Sequence, residues 1–443
     1  MRFMKVLLLA AIPATGCNPS DFNTILDKAP VQQETAPGSS TGSLFVLPLP
    51  APDPSTKVAA RMLVASKTSN YLAMVNYDMN GKSTQFEAKE VESALGSAVY
   101  SSAMRADGTI ILGTPSYPGG QTPGGKVTTI AVGAKADGSP SFGVINKLEG
   151  GGRMGISVAA GNLTGSPLIG DFVAVGDNSV QVVGTDPATL QISQIASSDD
   201  TCQPLHLGAL TGDFYAFRPV VVADLLTGGF DEIALGGQVD TQGHVLFVQY
   251  DGTRLLPCPS LTRALTYGNS PTFGASLAAG DFDGDGHMDL AVGNPPDRVY
   301  IYFGPLDAAI APDVTIVGAT PTQFGKQLAA YHVSGQATAQ LMVADPAASS
   351  PGSVGKVMIF NIARGQATIP ASAAVVTLFD SNKDSDPGLF GLNLGGLEFN
   401  TGLCHATGAV QPQLVPWASL GPNLLTFFSY VGGAADPRCF AQP

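Results

Sequence analysis

A short apolar strand recurs seven times along this chain, and that recurrence restricts the folds open to it. The copies are Met62 to Ser66, Ile110 to Pro115, Phe172 to Gly176, Ile233 to Gly237, Leu290 to Gly293, Leu341 to Pro346 and Leu414 to Ser419. They lie roughly 45–75 residues apart, room for a small sheet and its loops. Alternating strands follow six of them, at Tyr71 to Tyr77, Lys126 to Val132, His244 to Tyr250, Arg298 to Phe303, Lys356 to Asn361 and Leu424 to Tyr430. An upstream strand recurs too, at Ser157 to Gly161 and Phe324 to Ala330, and Phe390-Gly391-Leu392 starts the last copy. One such unit cannot bury both of its faces, so the units must stack on each other. With Gly 53 and Pro 33 in 443 residues turns are frequent, and a hydrophobic content of 44% supplies a large core. No long 3.6-period apolar stretch carries helix caps, which leaves an all-β chain.

The fifth copy carries chemistry. In FGASLAAGDFDGDGHMDLAVGNP, Phe273 to Pro295, Asp281, Asp283 and Asp285 alternate, followed by Gly286 and Asp289. Alternate side-chain oxygens on a tight loop converge on one hard cation, which takes six to eight oxygens at ~2.3–2.6 Å. His287 offers its backbone carbonyl, and Gly286 permits the bend that aims it. An EF-hand would need a Glu at loop position twelve and a helix afterwards. Val292 stands at that position, and Leu290 to Gly293 reads as a strand. The pattern is a calcium-binding β-hairpin.

This segment resembles the FG-GAP repeat of integrin α-subunit heads and related bacterial surface proteins. Phe273-Gly274 supplies the "FG", and Gly293-Asn294-Pro295 stands where the family has Gly-Ala-Pro. The resemblance implies a β-propeller blade whose first two strands are joined by the metal hairpin. Seven copies then imply a seven-bladed propeller of four-stranded antiparallel blades over residues 43–443. In integrin-like heads the calcium hairpins lie opposite the ligand face, so Asp281, Asp283, Asp285 and Asp289 would stiffen blade five. The other copies depart from the pattern: Asp224 is followed by Leu226 and Gly228, Asn162 by Thr164 and Ser166, and Tyr331 by Val333 and Gly335. A second acidic run, Asp380 to Asp386, lacks the following Gly and is interrupted by Pro387, so it reads as a solvated loop. For ring closure, Ser43 to Leu47 is either the outer strand of blade seven or the first strand of blade one. The prolines at 48, 50, 52 and 54 favour the second.

The N-terminus sets the compartment. Arg2 and Lys5 precede the apolar run Val6 to Ile12, and then comes Ala14-Thr15-Gly16-Cys17. This resembles a bacterial lipoprotein signal over residues 1–16 with Cys17 as the lipidated first residue. Residues 17–42, rich in Pro, Ser, Thr and Gln, then read as a flexible tether. By the family's sorting rule Asn18 favours the outer membrane. No apolar run reaches the ~18 residues needed to span a bilayer, so the lipid is the only expected membrane attachment. Cys202, Cys258, Cys404 and Cys439 remain, an even number that suggests disulfides in an exported chain. Of the three connectivities, Cys202–Cys258 and Cys404–Cys439 are preferred, each bracketing one copy.

The formal charge of −13 disfavours nucleic acid and anionic lipid surfaces. His206, His244, His287, His332 and His405 are scattered over different copies without a motif. No nucleophile elbow, Walker loop, zincin or Rossmann fingerprint stands in a fitting context. The chain is therefore expected not to be an enzyme. A lectin would show repeated aromatic platforms, whereas this sequence has one Trp, Trp417. The expected function is adhesion or binding of an envelope or extracellular protein, with two alternatives: a lectin-like propeller that binds polysaccharide, or an envelope enzyme with an inter-blade active site.

Overall fold

The computed structural model describes residues 30–35, 44–49, 58–66, 70–78, 83–115, 124–163, 171–183, 219–256, 264–306, 311–332, 337–379, 391–399, 413–420 and 424–428, with short omissions inside these ranges. Every one of the seven apolar runs forms the second strand of an antiparallel sheet. The first sheet joins Leu44–Leu49, Val58–Ser66, Leu72–Asp78 and Ser83–Glu87 in order. The second joins Ser101–Met104, Ile110–Pro115, Gly124–Ala134 and Pro140–Gly151. The third joins Ser157–Gly161, Asp171–Val175 and Val180–Val183. The fourth joins Val220–Ala223, Glu232–Val239 and Gln242–Tyr250, the last paired with both Leu255–Leu256 and Ala264–Leu265.

The fifth sheet runs Ser276–Gly280, Asp289–Asn294, Arg298–Tyr302 and Val314–Val317, and then gains Thr368–Pro370 in parallel from the stretch between the third and fourth strands of the sixth. The sixth contains Gln327–His332, Ala339–Ser350, Ser353–Phe360 and Val376–Phe379. In the last sheet Leu394–Phe399, Gln413–Leu420 and Leu424–Phe428 are followed by Pro30–Thr35 from the N-terminal end. The first strand of each sheet lies beside the first strand of the next, and Leu394–Phe399 lies beside Leu44–Leu49. The sheets thus form a propeller ring.

Uniform four-stranded blades are not what the chain builds. Five sheets carry four or more strands drawn from one stretch of sequence, the third has three, and the last is assembled from both ends. Leu44–Leu49 is the first strand of the first sheet, as the prolines suggested. Pro30–Thr35 falls inside the stretch read as a tether, yet it pairs with Leu424–Phe428 from Pro30 opposite Phe428 to Thr35 opposite Leu424. The sequence reading also had no place for the helix Lys89–Leu95, which buries Val91, Ala94 and Leu95 and ends on Gly96 at φ 70°.

The core consists of layers between neighbouring sheets. Second strands are covered on both faces, so they are apolar runs without alternation; Ile110–Pro115 and Asp289–Asn294 are buried throughout. Between the fifth and sixth sheets lie Phe282, Ile301, Phe324, Leu341 and Phe360. A recurring glycine contact sets the spacing. Gly325 has φ 83°, and a Cβ on Gly293 would stand 2.3 Å from its carbonyl oxygen. Gly236 repeats this against Gly274, at 2.1 Å. The glycine of each "FG" therefore fixes how closely one sheet approaches the one before it.

Candidate functional site

The fifth hairpin is closed by the pair Gly280 and Asp289, leaving an eight-residue loop, 281–288. Phe282 is fully buried in the core between the fifth and sixth sheets, and the flanking Asp281 and Asp283 are half-buried. Asp281, Asp283 and Asp285 place one carboxylate oxygen each within 4.8 Å of one another. The loop's own N–H groups hold these side chains. Gly284 donates to Asp281 Oδ1 at 2.7 Å and Gly286 to Asp281 Oδ2 at 3.0 Å. Asp285 donates to Asp283 Oδ1 at 3.1 Å and His287 to Asp285 Oδ1 at 2.9 Å. Both loop glycines are left-handed, Gly284 at φ 83° and Gly286 at φ 89°. Sequence reasoning identified the second and missed the first. Gly284 also lies against the sixth hairpin, where a Cβ would meet Thr338 at 3.0 Å.

Asp289 plays a different part from the other three. It is fully buried, and its Oδ2 accepts from Phe282 N at 2.7 Å while Oδ1 accepts from Gly304 N at 2.8 Å. Burial pushes its carboxyl up to about 7, against these two donors, which pull it down; the nearby Asp283 charge adds to the rise. Both of its oxygens are thus occupied by backbone donors, and it is not among the three carboxylates that converge.

Arg364 completes the site, and no sequence motif marked it. It follows the strand Ser353–Phe360 of the sixth sheet and crosses to the fifth hairpin. Its Nε pairs with Asp283 Oδ2 and its Nη2 with Asp285 Oδ2. The guanidinium lies 5.0 Å from the Phe303 ring centroid. Under this cover the Asp283 side chain is only 3% exposed, although Arg364 itself is 55% exposed. A positive group therefore already stands on the carboxylate oxygens that face away from the loop backbone. Alternating oxygens, two left-handed glycines and this stand-in cation fit a hard divalent ion.

The fourth hairpin shows the same frame with other chemistry. Ala223 pairs with Glu232, again leaving eight residues, 224–231. Glu232 Oε2 accepts from Leu225 N and Leu226 N, both at 3.0 Å, as Asp289 does from Phe282 N. Leu226 occupies the place of Asp283 and is buried, and Gly228 is the counterpart of Asp285 in sequence. Register identifies the covering residue. Tyr302 stands opposite Leu290 and Phe360 opposite Leu341, so Leu306 and Arg364, each four residues on, are equivalent. Leu306 donates its N–H to Leu225 O at 2.7 Å and packs in one apolar cluster with Leu225 and Leu226.

Of the remaining expected positions, His244 Nδ1 lies 2.9 Å from Gln242 O, while His287 and His332 are exposed. His206, His405, Cys17, Cys202, Cys258, Cys404, Cys439, Thr164, Ser166, Val333, Gly335 and the run 380–386 lie outside the described residues. No described helix is long and apolar enough to cross a membrane.

Residues 273–302 match the FG-GAP repeat family model. They span the "FG", the acidic hairpin and the third strand of the fifth sheet. No curated protein matches the sequence. Among solved structures the chain is similar to one described as the Dos1 propeller, with a TM-score of 0.44 and 8% identity over 90% of this chain and 95% of that one. Residues 273–302 thus carry an FG-GAP repeat, seated in one sheet of a ring of antiparallel sheets.

Proposed function

We propose that this protein is a calcium-stabilised binding module of the cell envelope, a seven-bladed propeller held to a membrane by lipid on Cys17. The observation that carries the reading is the convergence of Asp281, Asp283 and Asp285 in the matched FG-GAP repeat. These three, the His287 carbonyl and Asp289 would hold the ion, whose charge would offset the mutual repulsion of the carboxylates. Seven sheets whose first strands run side by side support counting each as one blade. The ion is structural in this reading and takes part in no reaction. A rigid ring then presents an exposed face to a protein partner at the outer membrane or cell surface. The disulfides Cys202–Cys258 and Cys404–Cys439 belong to the same exported state.

The test is affinity capture from the source envelope with the lipid-anchored chain, in calcium and in EDTA. Recovery of one defined protein, reduced in EDTA, is the expected result. Recovery of polysaccharide alone would move the chain to the lectins, and turnover of an envelope polymer would make it an enzyme.

A further inference from the structure

We propose that Arg364 is a built-in competitor for the metal of the fifth hairpin and sets how tightly that site binds calcium. The inference rests on the calcium reading above and adds a residue that the FG-GAP pattern does not contain. Arg364 Nε and Nη2 lie on Asp283 Oδ2 and Asp285 Oδ2, the outer oxygens of the two carboxylates. The inner oxygens, Asp283 Oδ1 and Asp285 Oδ1, are occupied by the N–H groups of Asp285 and His287. A divalent ion drawing on these carboxylates meets the guanidinium on the same oxygens. Two cations so close repel each other, and either one satisfies the carboxylates' need for positive charge.

The equivalent position in the neighbouring hairpin supports a dedicated role. Where the hairpin is apolar at Leu226, the covering residue is Leu306; where it is acidic at Asp283 and Asp285, the covering residue is Arg364. In each unit the cover matches the chemistry of its hairpin. The segment carrying Arg364 is fixed on both sides, by Ile362 and Ile369 in the core and by Thr368–Pro370 pairing with Val314–Val317. Exchange therefore needs only the exposed side chain to swing off Phe303, with no movement of the backbone.

Calorimetric titration of the full chain in detergent with calcium chloride, for the unmutated protein, Arg364→Gln and Arg364→Lys, tests this. Breaking an ion pair of this exposure before metal binds should cost about fivefold in affinity, so Arg364→Gln should bind about fivefold tighter. Arg364→Lys, which keeps the charge and loses the two-pronged geometry, should fall between the two. Equal or weaker binding by Arg364→Gln would overturn the role of Arg364 and leave the calcium site standing. Binding by Arg364→Gln alone would support it in its strongest form. If none of the three proteins binds calcium, the site reading and this inference fall together. Melting curves in EDTA establish that the Gln variant folds. Should it not fold, affinity in Arg364→Lys no tighter than in the unmutated protein would overturn the proposal.

Discussion

The fourth and fifth hairpins share a loop length, a buried carboxylate at the start of the second strand and a covering residue from the next sheet. They differ in what fills the space between. Glu232 and Asp289 both accept N–H groups from the loop backbone, so the frame of each hairpin is set by a carboxylate and not by metal. The fourth then closes with leucines, the fifth with acids under an arginine. A cation site here would be an addition to a hairpin that already has its own means of closure. That accounts for copies lacking the acids in the same ring without loss of the fold.

Removing the shared carboxylate should have the largest effect. Asp289→Ala orphans the N–H groups of Phe282 and Gly304, and Glu232→Ala those of Leu225 and Leu226. Each should cost about 3 kcal/mol in urea denaturation, and a markedly smaller loss in one would break the equivalence. Next comes Leu226→Asp, which buries a charge without a partner and should also cost about 3 kcal/mol. Adding Leu306→Arg should recover part of that loss; further damage would show that the exchange cannot be transplanted.

Calcium separates the two hairpins more sharply. At a hundredfold excess over Kd it should stabilise the protein by about 2.7 kcal/mol. Asp283→Ala should abolish that gain. Equal melting of the unmutated protein in calcium and EDTA would remove the metal from the account. The smallest effect belongs to the bend. Gly286 and Gly229 have φ 89° and 75° with open space beside them, so Ala at either should cost only about 1 kcal/mol, through backbone strain alone. A difference between the two, seen only in calcium, would tie the bend at Gly286 to the ion.

The second strands were legible in the sequence because both of their faces are buried, which leaves apolar runs such as Ile110–Pro115. The acidic loop was legible because its ligand spacing is local. Three features were not, each for a physical reason. Pro30–Thr35 reads PVQQET, with no apolar alternation to mark it, and its described pairing runs through backbone partners at the far end of the chain. Thr368–Pro370 is three residues long and joins the fifth sheet from between two strands of the sixth, a parallel pairing that strand propensity does not encode. Arg364 belongs to no motif. Only the register of Phe360 against Leu341 reveals that it stands where the neighbouring unit has Leu306.

The pairing of Pro30–Thr35 with Leu424–Phe428 has a consequence for how the molecule is made. The six residues that finish the ring leave the ribosome long before the strand they pair with. Until residue 428 exists, the final sheet lacks its outer strand and exposes an open edge. Synthesis can fold the first six sheets in sequence, yet the join between Pro30–Thr35 and Leu424–Phe428 must wait until residue 428 has been made. A chain cut short before Leu424 would lose Leu424–Phe428 and leave Pro30–Thr35 without a place to dock.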